Sequence, residues 1–226
     1  MSELVDDIAA MMANPEDLDP ELAGSITDSP LGPVIKNPLL FAVPYIAAMN
    51  PMINRSFHSK KAAASAALTA RDWSQYLWLH ERPYRVYAFA RIAEQMDDED
   101  YWRRLAQMWI DSENIFEAES LWRRLLGNPA RLPSRHLLMT DDERTHLAGL
   151  PESITVYRGY SHPGRRHGMS WSLDRRVATR FAGRFGARGH VARCQVAKSD
   201  VIAYFAGRGE QEIVLPAAVN SRRRAA

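Results

Sequence analysis

The stretch Ile154-Thr155-Val156-Tyr157-Arg158-Gly159 is where the chain changes period. Ile154, Val156 and Arg158 alternate with Thr155 and Tyr157, the two-residue repeat of a strand whose side chains point to opposite faces. Downstream, residues 169–173, 190–196, 201–205 and 211–215 are short strand candidates of the same kind. One helix interrupts them, with Asp174 as N-cap and Val177, Ala178, Phe181, Ala182 and Phe185 as its buried face.

Upstream the repeat is helical. Trp73, Tyr76, Leu77 and His80 share a face, and after Pro83 the residues Val86, Phe89, Ala90, Ala93 and Met96 recur at helical spacing. Asp97 is placed to cap a helix whose stripe is Trp102, Leu105, Met108 and Trp109, which reads as packed core. Ser112 is placed to cap a further helix carrying Ile115, Phe116, Trp122 and Leu125. Thr140-Asp141-Asp142-Glu143 is a capping box for a short helix reaching Leu150. Residues 1–30 hold eight acids and no Lys or Arg, with Pro15, Pro20 and Pro30, the composition of a tail. Residues 31–58 add four more prolines, which argues against long regular structure there.

Helices followed by strands give an α+β chain. Three parts are expected: an acidic, Pro-rich, partly disordered segment over 1–58, a helical lobe over 59–150 and a strand-rich basic lobe over 151–226. With 226 residues, 46% apolar and 25% charged, the chain has an average globular composition, which excludes wholesale disorder and fibrous repeats. The single cysteine, Cys194, excludes an internal disulfide framework and a Cys-rich zinc site. No His/Asp/Glu spacing resembles a ligand set, so no metal is expected. The acidic start lacks the basic residues of a secretory signal, and the longest apolar run, residues 38–49, contains Pro44 and falls short of the roughly 20 residues a membrane span needs. The expectation is a cytoplasmic protein, of its producer or of a target cell, with no membrane partner.

The formal net charge of +2 hides a division. Residues 1–150 carry 15 Lys/Arg against 22 Asp/Glu, whereas residues 151–226 carry 14 against 5. A segment at +9 attracts anions: the phosphates of a nucleotide, a nucleic acid, or the acidic half of its own chain.

Three segments in that basic part stand together. In Val156-Tyr157-Arg158-Gly159 a strand ends on an Arg followed by a Gly that lets a ligand approach the backbone. In Ser170-Trp171-Ser172-Leu173-Asp174 the alternation puts both hydroxyls on one face before a capped helix. In Glu210-Gln211-Glu212-Ile213-Val214-Leu215 the period of 2 puts both carboxylates on one face at the mouth of an apolar strand, with Arg208 just before. Singly, each has an ordinary reading: an exposed Arg at a turn, a strand with its cap, a solvated strand start.

In the order Arg, Ser-x-Ser, Glu-x-Glu, the three segments resemble the Arg-Ser-Glu class of mono-ADP-ribosyltransferases, the cholera-toxin-like group. The resemblance covers about residues 153–216, and Ala178-Thr179-Arg180-Phe181-Ala182 is similar to the small-residue and Phe pattern of that family's following helix. It implies a helical lobe packed on a small split β-sandwich with NAD as substrate. By matching positions it implies that Arg158 contacts the NAD phosphates and Gly159 holds the nicotinamide amide by its backbone. It further implies that Ser170 steadies the catalytic Glu212, that Glu212 bonds the nicotinamide ribose, and that Glu210 engages an arginine acceptor. Ser172, Phe181 and Phe185 are further cofactor-binding candidates, the two aromatics as stacking partners of nicotinamide. The loop Gly164-Arg165-Arg166-His167-Gly168 is a candidate for added phosphate contacts. The sequence departs from the family in having Trp171 where a Thr is usual, and in the short stretch after Leu215.

The resemblance implies transfer of ADP-ribose to an arginine of an acceptor protein. Two alternatives stay open: an NAD glycohydrolase or a transferase acting on nucleic acid, and, from another class, a non-catalytic nucleic-acid-binding module driven by charge.

Overall fold

The computed structural model describes residues 16–113, 115–184 and 189–216. The chain forms two compact units, Met1–Phe89 and Ala90–Ala226, so the helical stretch expected as one lobe is divided between them.

In the first unit, strands β1 (Ile26–Thr27), β2 (Val34–Asn37) and β3 (Leu40–Pro44) form an antiparallel three-stranded sheet in that order. A short helix, α1 (Pro20–Ala23), precedes them, and α2 (Asn50–Thr69) and α3 (Trp73–Leu79) follow. Two expectations are corrected here. Regular helix begins at Asn50, ahead of the expected lobe boundary at 59 and inside the segment whose prolines argued against it, because Pro51 falls in the first turn, where a missing N–H costs nothing. The segment 16–30 is also not a free tail. Buried Asn54 receives the backbone N–H of Asp19 at 2.8 Å and donates to the Glu16 carboxylate at 3.0 Å and the Asp17 carbonyl at 2.9 Å. Asp19 pairs with His58 at 2.6 Å, and Glu21 pairs with Lys61. The charges that read as a tail are spent on partners 38 to 40 residues away. As expected, Trp73, Tyr76, Leu77 and His80 form a buried face.

The division between units falls within α4 (Arg85–Ile92). The second unit continues with α5 (Asp98–Asp111), α6 (Glu119–Leu126) and α7 (Asp141–Gly149). Asp97 caps α5 by accepting from the N–H of Asp100, and the Thr140–Glu143 capping box opens α7, both as the sequence indicates. The Ser112 expectation is corrected: its hydroxyl donates back to the Met108 carbonyl at 2.7 Å, closing α5 instead of opening the next helix. A 3₁₀ turn, Ile115–Ala118, leads into α6, and it leaves Phe116 exposed.

Then come strands β4 (Ser153–Tyr160), β5 (Ser170–Ser172), β6 (His190–Ala197), β7 (Ala203–Phe205) and β8 (Glu212–Val214), with α8 (Arg175–Ala182) between β5 and β6. They make one antiparallel sheet in the order β6-β4-β5-β8-β7. One face, bearing Ile154, Val156, Trp171, Tyr204 and Ile213, closes a core with Val196, Val201 and Leu215, against which Leu147 of α7 packs. The chain is thus α+β, and no described helix is long and apolar enough to cross a membrane.

Helix α8 seats on β4 through the absence of side chains. A Cβ built on Gly159 would overlap the Ala178 carbonyl oxygen and stand 2.5 Å from the Ala182 nitrogen. Gly159 was expected to let a ligand reach the backbone; its open side is taken by the backbone of α8, which sets how closely helix and sheet approach.

Candidate active site

The site forms where the central strands part. β4 and β5 share the register pair Tyr157↔Ser172, whereas β5 and β8 stay paired over Ser170↔Val214, Trp171↔Ile213 and Ser172↔Glu212. Beyond the single pair, the Arg158 side chain takes over from the backbone: its Nη1 donates to the Ser170 carbonyl and its Nε to the Arg165 carbonyl at 2.9 Å. Gly168 makes room for this, since a Cβ there would overlap Arg158 Nη2 and stand 2.6 Å from Cζ. Burial lowers the Arg158 pKa, against the attraction of Glu119 and Glu212. An Arg remains charged in proteins, so the group is a fixed cation at the strand end.

Trp171 turns into the core and donates its indole N–H to the Gly168 carbonyl at 2.8 Å, which leaves Ser170 and Ser172 on the opposite face. Ser170 Oγ donates to Glu212 Oε1. Ser172 Oγ donates to the Glu210 carbonyl at 2.6 Å and accepts from the N–H of Asp174 at 3.0 Å. The two hydroxyls therefore differ in task. Ser170 holds a carboxylate, while buried Ser172 spends its hydrogen-bonding capacity on the backbone that carries Glu210 and on the start of α8.

The Glu-x-Glu pair is brought together by a different route from the one its spacing suggests. β8 begins at Glu212; Glu210 lies ahead of it in helical backbone (φ −90, ψ −12) at the end of a 3₁₀ turn. Between them Gln211 has φ 45, after Arg208 at φ 59 and Gly209 at φ 64. The two-residue alternation does not apply across such a kink. Both residues nonetheless line one cleft of about 450 Å³. Glu212 is recessed, and desolvation raises its pKa above the ordinary glutamate value. The Glu210 charge pushes the same way, while the Ser170 hydrogen bond, the indole N–H of Trp109 and the Arg208 charge lower it. Glu210 is partly exposed, with its Oε1 3.8 Å from Nη2 of exposed Arg180.

Arg158, Gly159, Ser170, Ser172, Phe181, Glu210 and Glu212 all line this cleft. Phe181 is half-buried and has the guanidinium carbons of Arg180 and Arg184 over its ring at 5.7 and 5.1 Å. Phe185 lies outside the described residues. Of the basic loop, Arg165 lines the cleft, its guanidinium 5.2 Å from the ring centre of Phe116.

Trp109 escaped the sequence reading. Its stripe was assigned to core, and the ring is indeed 2% exposed, yet the residue also lines the cleft at the end of α5. Spacing along a helix says which side a ring packs on and nothing about where its N–H emerges.

A cleft with a recessed carboxylate, a steadying hydroxyl, a second carboxylate and fixed guanidinium groups is equipped to bind an anion and to stabilise positive charge developing beside it. No protein-family model, curated protein or solved structure matches the chain.

Proposed function

We propose that the unit Ala90–Ala226 transfers ADP-ribose from NAD to an arginine side chain of a target protein, with release of nicotinamide, in the manner of the Arg-Ser-Glu mono-ADP-ribosyltransferases. The observation that carries this reading is the Ser170–Glu212 hydrogen bond inside a cleft that also holds Arg158 and Glu210. Three motifs singled out in sequence for their joint order line one space. The parting of β4 from β5 next to Arg158 further supports the split-sandwich type of sheet.

In this reading the bond between nicotinamide nitrogen and ribose C1 breaks, and its electron pair leaves with nicotinamide. Positive charge grows on the sugar, as in glycoside cleavage, and a fixed carboxylate at Glu212 gains interaction in the transition state. Arg158 offers a planar fork to the pyrophosphate. A guanidinium nitrogen of the acceptor then bonds to C1, and Glu210 accepts the proton that nitrogen loses.

The test is incubation of the full chain with NAD labelled on the adenylate and a cell lysate, followed by protease or nuclease digestion. Label in protein, released by chemistry specific for arginine adducts and absent with Glu212→Gln, is expected. Label in nucleic acid, or nicotinamide release with no transfer, replaces arginine by the other two enzyme readings. Absence of nicotinamide release, with salt-sensitive binding to nucleic acid, overturns the enzyme altogether.

A further inference from the structure

Trp109 carries a buried hydrogen-bond donor, its Nε1, that no acceptor meets in full hydrogen-bond geometry. The ring cannot turn to find a partner, because it is packed edge-on against Trp122 with centroids 5.1 Å apart at 79°, and both rings are almost wholly buried. An unpaired indole N–H away from water is costly, and buried donors are seldom left so. This one belongs to a residue of the cleft wall.

Glu212 lines the same cleft, and the indole favours the ionised form of its carboxyl. A carboxylate offers two oxygens and about four lone-pair sites, and Ser170 occupies one of them, on Oε1. Donors aimed at a reacting carboxylate are often poorly aligned without substrate and tighten once it is bound.

We infer that Trp109 is a positioning residue for Glu212, its indole N–H gripping the carboxylate alongside Ser170 so that the carboxylate faces the cleft in one orientation. The inference rests on the proposed reading of Glu212 as the group that meets the sugar cation. Two donors from different elements, β5 and α5, then fix the carboxylate plane, whereas Ser170 alone would leave it free to swing about one bond. Because both donors act on the charged form, removing either raises the pH at which Glu212 ionises.

The experiment reads the contact directly and does not depend on turnover. In the full-length chain labelled with ¹⁵N on tryptophan and ¹³C on glutamate carboxyls, the Trp109 indole resonance is expected to move with pH at the same midpoint as the Glu212 carboxyl. In Glu212→Gln it is expected to stay still. Trp109→Phe keeps an aromatic ring and removes the N–H: the Glu212 midpoint rises, kcat for nicotinamide release falls roughly tenfold or more, and KM for NAD changes little. An indole resonance that ignores the Glu212 titration in the unaltered chain overturns the inference, whether or not Trp109→Phe folds. A Glu212 midpoint unmoved in folded Trp109→Phe does the same. Failure of the unaltered chain to release nicotinamide removes the proposed function while the titration still decides the contact.

Discussion

Ser170 Oγ donates to Glu212 Oε1 although the two residues stand 42 positions apart in the chain. The contact follows from the pairing of β5 with β8, which sets Ser172 opposite Glu212 and runs on through Leu173 N to Gln211 O and Leu215 N to Met169 O. The serine hydroxyl thus reaches the carboxylate diagonally across neighbouring strands, a distance side chains of this length can span.

Ser170→Ala should shift the acidic limb of the activity profile upward. The serine hydrogen bond lowers the Glu212 pKa, so its loss adds to the raising effect of burial. Activity at a fixed pH near the limb should fall roughly tenfold and recover as pH rises. Glu210→Gln should move the limb downward, because a like charge that raises the pKa is removed. Nicotinamide release measured across pH checks both signs.

The two carboxylates should separate transfer from hydrolysis. Glu212→Gln keeps shape but removes the charge that the proposed function assigns to breaking the nicotinamide bond, so both activities should fall together, on the order of 100-fold or more. Glu210→Gln should lose transfer to arginine while water still intercepts the sugar, leaving hydrolysis of NAD. Equal loss of both activities in folded Glu210→Gln would remove the acceptor role.

Glu212→Gln should also stabilise the fold near neutral pH. A folded-state pKa above the unfolded one means that the carboxyl favours folding at low pH and loses that contribution as pH rises through the folded value. The gain from Gln should therefore appear above that value and vanish below the ordinary glutamate range. A higher Tm for the variant at neutral pH, with no difference at low pH, is expected in thermal melts.

Gly159→Ala and Gly168→Ala should fail in different ways. At Gly159 the new methyl meets α8 backbone at Ala178 and Ala182, which must shift, at a cost of about 1–3 kcal/mol in stability. At Gly168 it meets the end of the flexible Arg158 side chain. The fold should survive, and NAD affinity should weaken with the displaced guanidinium. Melting curves and calorimetric NAD titrations of both variants distinguish the two.

Arg158→Ala should weaken NAD binding, and Arg158→Lys should restore little of it, because a lysine keeps the charge and loses the fork that also spans the Ser170 and Arg165 carbonyls. Unchanged affinity in Arg158→Ala would move the phosphate site to Arg165 and Arg166.

The α+β class, the caps at Asp97, Thr140 and Asp174, the core stripes and the three motifs were all legible in the sequence, because each depends on periodicity or on a side chain bonding backbone a few residues away. The acidic segment misled, since composition counts charges but cannot see that Asn54, His58 and Lys61 wait for them. Long-range choices belonged to the tertiary structure. The left-handed backbone at Gln211 brought Glu210 into the cleft where strand alternation could not reach, and helix packing took the open side of Gly159. The indole N–H of Trp109 was left without a partner of full geometry in the cleft wall by the same burial that made the ring look like core. Local pattern encodes which face of an element is apolar; which atoms meet across elements depends on how those faces pack, and only the folded chain specifies that.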